Sequence, residues 1–264
     1  MEFRTRIAIL LALSVAAILG VLFVPPFAQP LDYHDYADTR SCFAILNCRD
    51  VLSNIAFALV GVAGLGVLLR GTPDRRGDTL PYLLFFAGVL AISAGSVYYH
   101  WQPDNARLFW DRLPMTVGFM AFSSAIVTDR IDRAAGLKIV LPLLLVLGVA
   151  SIVYWDWSER AGQGDLRFYG LVQFLPLALI PLLCRLFPDA RHTHGRYIVW
   201  IYVWYGVGKI FELFDASVFE ALGGQLSGHT LKHLTAALAT ACVIPMARAA
   251  RDIPAFSRSR TPDP

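Results

Sequence analysis

Charge is what this chain has least of. Of its 264 residues only 16% are Asp, Glu, Lys or Arg, against 56% hydrophobic, where a water-soluble domain carries about 25% charge. Charge is also missing in runs. Stretches with few or no charged residues cover 7–31, 51–69, 79–99, 113–128, 139–155, 168–184, 197–214 and 234–247. Each approaches the roughly 17–25 residues that cross about 30 Å of hydrocarbon as a helix. Backbone polar groups in lipid must be satisfied within the segment, which favours helices. Short alternating segments of the kind that build membrane barrels are absent. Eight such blocks on short charged loops leave too little amphipathic surface for a soluble bundle of buried helices. The expected fold is all-α: a polytopic membrane protein with a seven-transmembrane-helix core and one extra N-terminal helix.

Cysteine is scarce as well, with four in the chain. No C-x-x-C spacing occurs, and no Cys-His nucleophile pair is evident. Cys184 and Cys242 fall inside apolar blocks, where they read as small hydrophobes. Cys42 and Cys48 lie between the first two blocks. They form a disulfide if that segment faces an oxidising compartment, and two free thiols otherwise. Walker, nucleophile-elbow and dinucleotide motifs are missing from any strand-turn-helix context. The net charge of +3 comes with no basic helix or aromatic-interleaved patch, so nucleic acid is not an expected partner.

The arginines and lysines that remain sort by side. With the N-terminus cytoplasmic, inside segments hold fifteen of them, from Arg4 and Arg6 to Arg258 and Arg260. Outside segments hold six: Arg40, Arg49, Arg107, Arg112, Arg160 and Arg167. Positive charge marks the cytoplasmic side, so both termini are expected inside. The expected organisation is an N-terminal transmembrane helix or signal anchor at 1–31, a helical membrane domain at 32–250 and a disordered cytoplasmic tail at 251–264. A cleaved signal peptide is the alternative for the first block, but its apolar run is long and no A-x-A site follows.

Ionisable residues inside lipid-buried helices mark function, and here they gather at the outer helix ends. Ser96 and His100 are four apart, so they share a helix face. Asp111 opens the next block about ten residues later, facing His100 across a tight turn, with Pro114 in a helix's first turn. His229 and His233 are again four apart, a spacing that lets two imidazoles bind one metal. Three protein ligands and an open position form the catalytic zinc pattern, although imidazole also suits iron or copper. Three separate structural histidines are the alternative. Lys209, Glu212 and Asp215, spaced by three, read as an ion-pair network beneath the site in preference to outer partners that hold its ligands, with Lys232 able to pair with Glu212. His192 and His194 read as solvated loop residues. His34, with Asp32, Asp35 and Asp38, reads as a solvated loop in preference to a calcium site.

These motifs together resemble the signature of the alkaline ceramidases. The carriers are Ser96-x-x-x-His100, Asp111-x-x-Pro114-Met115, His229-x-x-x-His233 and, opening the second block, Asp50-Val-x-Ser53-Asn54. The family belongs to a superfamily of seven-helix membrane proteins that also includes the adiponectin and progestin receptors, and the resemblance spans about residues 32–250. It implies a metal-dependent amidohydrolase cleaving the amide of ceramide-like lipids, with Zn2+ on His100, His229 and His233, Asp111 as general base and Ser96 as assisting hydroxyl. It implies a membrane lipid as partner. Ca2+ is the weaker expectation, because a glutamate of the eukaryotic calcium site is replaced by Asn47. Arg112 stands where those enzymes often carry an acidic residue. The likeness is to the prokaryotic branch, which places the protein in a bacterial inner membrane with its metal site toward the periplasm. A seven-helix receptor with a structural zinc is the rival function. A transporter using the Lys209, Glu212 and Asp215 line is a third, with no broken-helix pair or repeat to support it.

Overall fold

The computed structural model describes residues 1–70 and 78–253. Within them the chain is helical, with a single isolated bridge between Cys42 and Ile45. We number the helical segments α1 Phe3–Leu22, α2 Cys48–Leu69, α3 Leu80–Trp101, α4 Asn105–Arg130, α5 Arg133–Arg160, α6 Arg167–Leu186, α7 Gly195–Leu213, α8 Asp215–Ala221 and α9 Gly228–Asp252. Six of them are long and apolar enough to cross a membrane, or seven if the bent α7–α8 pair is one span. The outward faces are apolar: Leu59, Val62, Val146, Val199 and Ile210 are all exposed. Water would not tolerate that much unpaired hydrophobic surface, and lipid does.

Helix α1 stands apart. None of its residues is buried, and it leans on α6 alone among its closer neighbours. The other long helices pack in an open ring, α2 on α3, α3 on α4, α4 on α5 and α6, and α7 on α9, which returns to α2. The ring is loosest between α6 and α7. There the Tyr202 hydroxyl donates to the Leu177 carbonyl at 2.6 Å, and cavities lie on both sides of Tyr202.

One helix boundary differs from the expectation from sequence. Helix α4 begins at Asn105, capped by Asp104, whose carboxylate accepts from the Arg107 amide at 2.7 Å. Asp111 and Pro114 therefore lie inside the helix, not in its first turn. The charges Arg107, Asp111 and Arg112 suggested a loop, but each finds a partner that keeps it in the helix. Pro114 has no N–H to offer the carbonyl of Trp110. That carbonyl is pressed against Gly95 of α3, where a Cβ would sit 2.1 Å from it. Glycine is required there, and the close approach places Ser96 beside Asp111. Gly95→Ala should cost about 1–3 kcal/mol by overpacking against backbone that cannot move aside. A lowered melting temperature in detergent checks this, with Gly66→Ala as control, since a Cβ at Gly66 meets nothing within 4 Å.

The opposite end of the bundle holds an unexpected buried charge cluster. His192 reads as a loop residue from sequence, yet it is fully buried while His194 is exposed. Its Nδ1 meets the Tyr82 hydroxyl at 2.8 Å, and its Nε2 lies 3.4 Å from Asp129 and 3.9 Å from Asp78. Arg191 bonds both carboxylates, and Arg133 bonds Asp78. Burial lowers the His192 pKa to about 4, outweighing the two carboxylates. Below pH 6.5 the unfolded chain takes up a proton that the folded chain refuses until about pH 4. Stability is therefore full above pH 6.5 and falls as the pH drops from 6.5 toward 4, by roughly 3 kcal/mol for this residue. Melting curves across that range should be steeper for the wild type than for His192→Gln.

Arg251 and Asp252, expected in the tail, belong to α9, and Arg251 donates to the Val67 carbonyl at 2.9 Å. Residues 254–264 lie outside the described residues.

Candidate metal centre

Two helix ends converge on one point. His100 closes α3, while His229 and His233 occupy the first two turns of α9. All three are buried. Their ring centroids form a nearly equilateral triangle of 4.7 to 4.8 Å. One nitrogen from each lies within 4.8 Å of the others, so the group can hold a metal ion, and no other His, Cys, Asp or Glu group among the described residues does.

The surroundings decide how the rings are held. The Ser53 hydroxyl donates to the Asp50 carbonyl at 2.8 Å and lies 2.7 Å from His233 Nδ1. A hydroxyl has one hydrogen, so Ser53 must accept from His233, whose proton is then on Nδ1 and whose lone pair is on Nε2. That is the arrangement of a metal-ligating histidine held by an outer partner. His100 carries a buried Nδ1 with no protein partner. An orphaned ring nitrogen in a triangle of imidazoles fits a cation, and the all-nitrogen donor set suits zinc without identifying it.

Polar residues far apart in sequence fix the start of α9. Ser227 caps it, accepting from the Thr230 amide at 2.9 Å. The buried Asp50 carboxylate accepts from the hydroxyls of Ser227 at 3.1 Å and Thr230 at 2.5 Å. Asp215, at the 84° corner between α7 and α8, accepts from the His229 amide at 2.7 Å and from the Ala37 amide at 2.9 Å. Gly228 is pressed so tightly into that corner that a Cβ would lie 2.2 Å from the Phe211 carbonyl. Asp215 thus leaves the expected Lys209-Glu212-Asp215 line, because the helix turns away beneath it. Glu212 does pair, with Lys209 and, at 2.9 Å, with Lys232. The Lys232 ammonium also reaches to 3.4 Å from His229 Nε2.

The outer segment forms the roof. Cys42 and Cys48 pair as a disulfide with their Cα atoms 5.5 Å apart. Between them Phe43 and Ala44 adopt positive φ, as does Asn47, a conformation asparagine tolerates better than most. Asn47 donates to the His100 carbonyl at 2.8 Å. Asp38 accepts from Arg40 and, at 3.4 Å, from Arg49, so its charge is answered by arginines. His34 is no solvated loop residue: it lies 2.9 Å from both the Tyr99 hydroxyl and Asn105. The Tyr36 ring covers the triangle, 4.4 Å from His229 and 5.0 Å from His100, and burial pushes its phenol pKa far above the ordinary value.

Beneath the roof lies a cavity of about 420 Å³, lined by Ser96, Asp111, Lys232, Glu212 and His233 at one end. Phe85, Phe122, Ile180, Ile201 and Val243 line its apolar remainder, and the α6–α7 gap borders it. Of the three histidines, only His233 lines the cavity. Lys232 and Arg112 are the cations acting on the Asp111 carboxylate, which the Ser96 hydroxyl hydrogen-bonds. Sequence spacing found the three histidines, Ser96 and Asp111. It gave no catalytic or ligand-positioning role to Lys232, Asp50, Ser53 or Tyr36.

Fold and site define a many-helix, membrane-type protein with a buried three-histidine centre able to hold a metal ion. No protein-family model and no curated protein matches the chain.

Proposed function

We propose that the protein is a zinc-dependent intramembrane hydrolase that cleaves the amide bond of ceramide-like lipids. One observation carries this: His233, one corner of the histidine triangle, lines a cavity together with the Asp111 carboxylate and the Ser96 hydroxyl, and the rest of that cavity is apolar and borders a gap between helices. A purely structural metal has no need of either feature. The architecture fits eight membrane-spanning helices. Helix α4 falls short of the apolar criterion because it carries the site, yet its 26 residues suffice in length. Exposed Trp101, Trp110 and Trp157 ring the histidine end, as interfacial tryptophans do. Arginine asymmetry puts that end outside, in a bacterial inner membrane facing the periplasm.

His100, His229 and His233 would hold the zinc, which when bound supplies a Lewis acid and lowers the pKa of water toward about 7. Asp111 is placed to take a proton from water and pass one to the leaving amine. Ser96 and Lys232 flank the carboxylate and favour negative charge developing in the cavity. The apolar lining takes the acyl chain and excludes bulk water. Purified protein incubated with a mixed lipid extract, followed by mass spectrometry, should show loss of N-acyl lipids and a matching rise in free fatty acid. If the zinc is retained and no lipid amide or ester changes, the receptor-type reading replaces this one.

A further inference from the structure

Arg112 follows Asp111 in α4 and lines the same cavity. Only 7% of it is exposed. A guanidinium cannot shed its charge in a protein, and burying a charge is costly unless it is paired. Yet among the described residues no carboxylate lies within salt-bridge distance of it. Its partners are of another kind. Nη2 donates to the Gln29 side-chain carbonyl at 2.6 Å. The rings of Trp155, Tyr169 and Tyr33 surround the guanidinium carbon at 4.7, 4.8 and 5.3 Å. Nη1 is buried and has no acceptor.

The nearest alternative partners are engaged elsewhere. Glu159 Oε1 accepts from the Gln29 amide at 2.6 Å and the Trp155 indole at 3.0 Å. Asp165 is held by Arg167 and Tyr154. Asp111 feels the charge of Arg112 but is hydrogen-bonded by Ser96. Aromatic faces stabilise a cation through its plane and leave its edge available. An edge N–H of arginine is the standard ligand of carboxylate and phosphate oxygens.

We infer that Arg112 is the specificity-determining residue for an oxyanion carried on the amine side of the lipid substrate. Gln29, Pro30, Tyr33 and Tyr169 line the cavity beside it. This subsite lies toward the outer segment, while Phe122, Ile180 and Val243 mark the deep apolar end. An acyl chain occupying the apolar end leaves the head of the molecule next to Arg112, with the scissile amide between them at Ser96 and Asp111. The inference deepens the hydrolase reading and rests on it for the word substrate. The anion site itself stands on geometry alone.

The test is equilibrium binding and hydrolysis of three lipids that share one acyl chain: N-palmitoylglycine, N-palmitoylphosphoethanolamine and uncharged N-palmitoylethanolamine. Wild-type protein should bind at least one anionic lipid about tenfold or more tightly than the neutral one, equivalent to about 1.4 kcal/mol. Comparison of the two anionic arms tells carboxylate from phosphate. Arg112→Gln should erase the preference and Arg112→Lys should keep part of it. The wild-type comparison needs no variant, so a variant that fails to fold does not rescue the idea. Equal binding of charged and neutral lipids by the wild type overturns the inference, even if all are hydrolysed. Preferential binding without hydrolysis of any lipid leaves the anion site standing and removes the hydrolase reading.

Discussion

Asp111→Asn is expected to keep its zinc and lose hydrolysis by about 100- to 10,000-fold, the usual loss on removing a general base. The residue lines the cavity with Ser96 and is absent from the histidine triangle. Three imidazoles complete a catalytic zinc site without it. The substitution is nearly isosteric, so packing against α3 at Gly95 is preserved. Turnover and zinc content measured on one preparation check this. Loss of zinc would make Asp111 a ligand, and full retention of rate would place the base elsewhere. Ser96→Ala should cost less, because the zinc and Lys232 still favour the developing charge.

The second large effect is on the metal. Replacing both His229 and His233 by Ala should take zinc content from about one per chain to near zero. Elemental analysis after chromatography measures it. Melting curves on the same samples tell metal loss from misfolding, since each ring is buried and its removal opens space beside Phe57 and Tyr36. Ser53→Ala is a milder version. It removes the acceptor that fixes the His233 tautomer and should weaken metal affinity by about 10- to 100-fold. Zinc that survives the double replacement unchanged would remove the site.

Which parts of this were legible in the sequence follows from how local their physics is. His229 and His233 declare a shared face through their spacing alone, and His100 with Ser96 does the same on α3. The all-helical character and the long apolar helices follow from apolar runs, and the Lys232–Glu212 pair from charges in apolar surroundings. Other features depend on partners far along the chain. Ser53 meets His233 across 180 residues, Ala37 meets Asp215 across 178 and Asn47 meets the His100 carbonyl across 53. His192 reads as solvated because its neighbours are polar, and the approach of Tyr82, Asp78 and Asp129 from distant segments buries it. The sequence puts the start of α4 too late, because charge in a membrane protein suggests a loop, whereas the helix begins at Asn105. Here Asp111 and Arg112 sit within the helix and line the buried cavity. Arg112 was visible as a departure from the resembling family, but its ring of aromatics comes from three separate segments.

One measurement tests the central claim most directly: fatty acid released from an N-acyl lipid by the zinc-loaded protein, before and after stripping the metal with a chelator. Release should follow zinc content, vanish on stripping and return when zinc is restored. Absence of release at every metal loading, or release that is indifferent to stripping, would contradict the account.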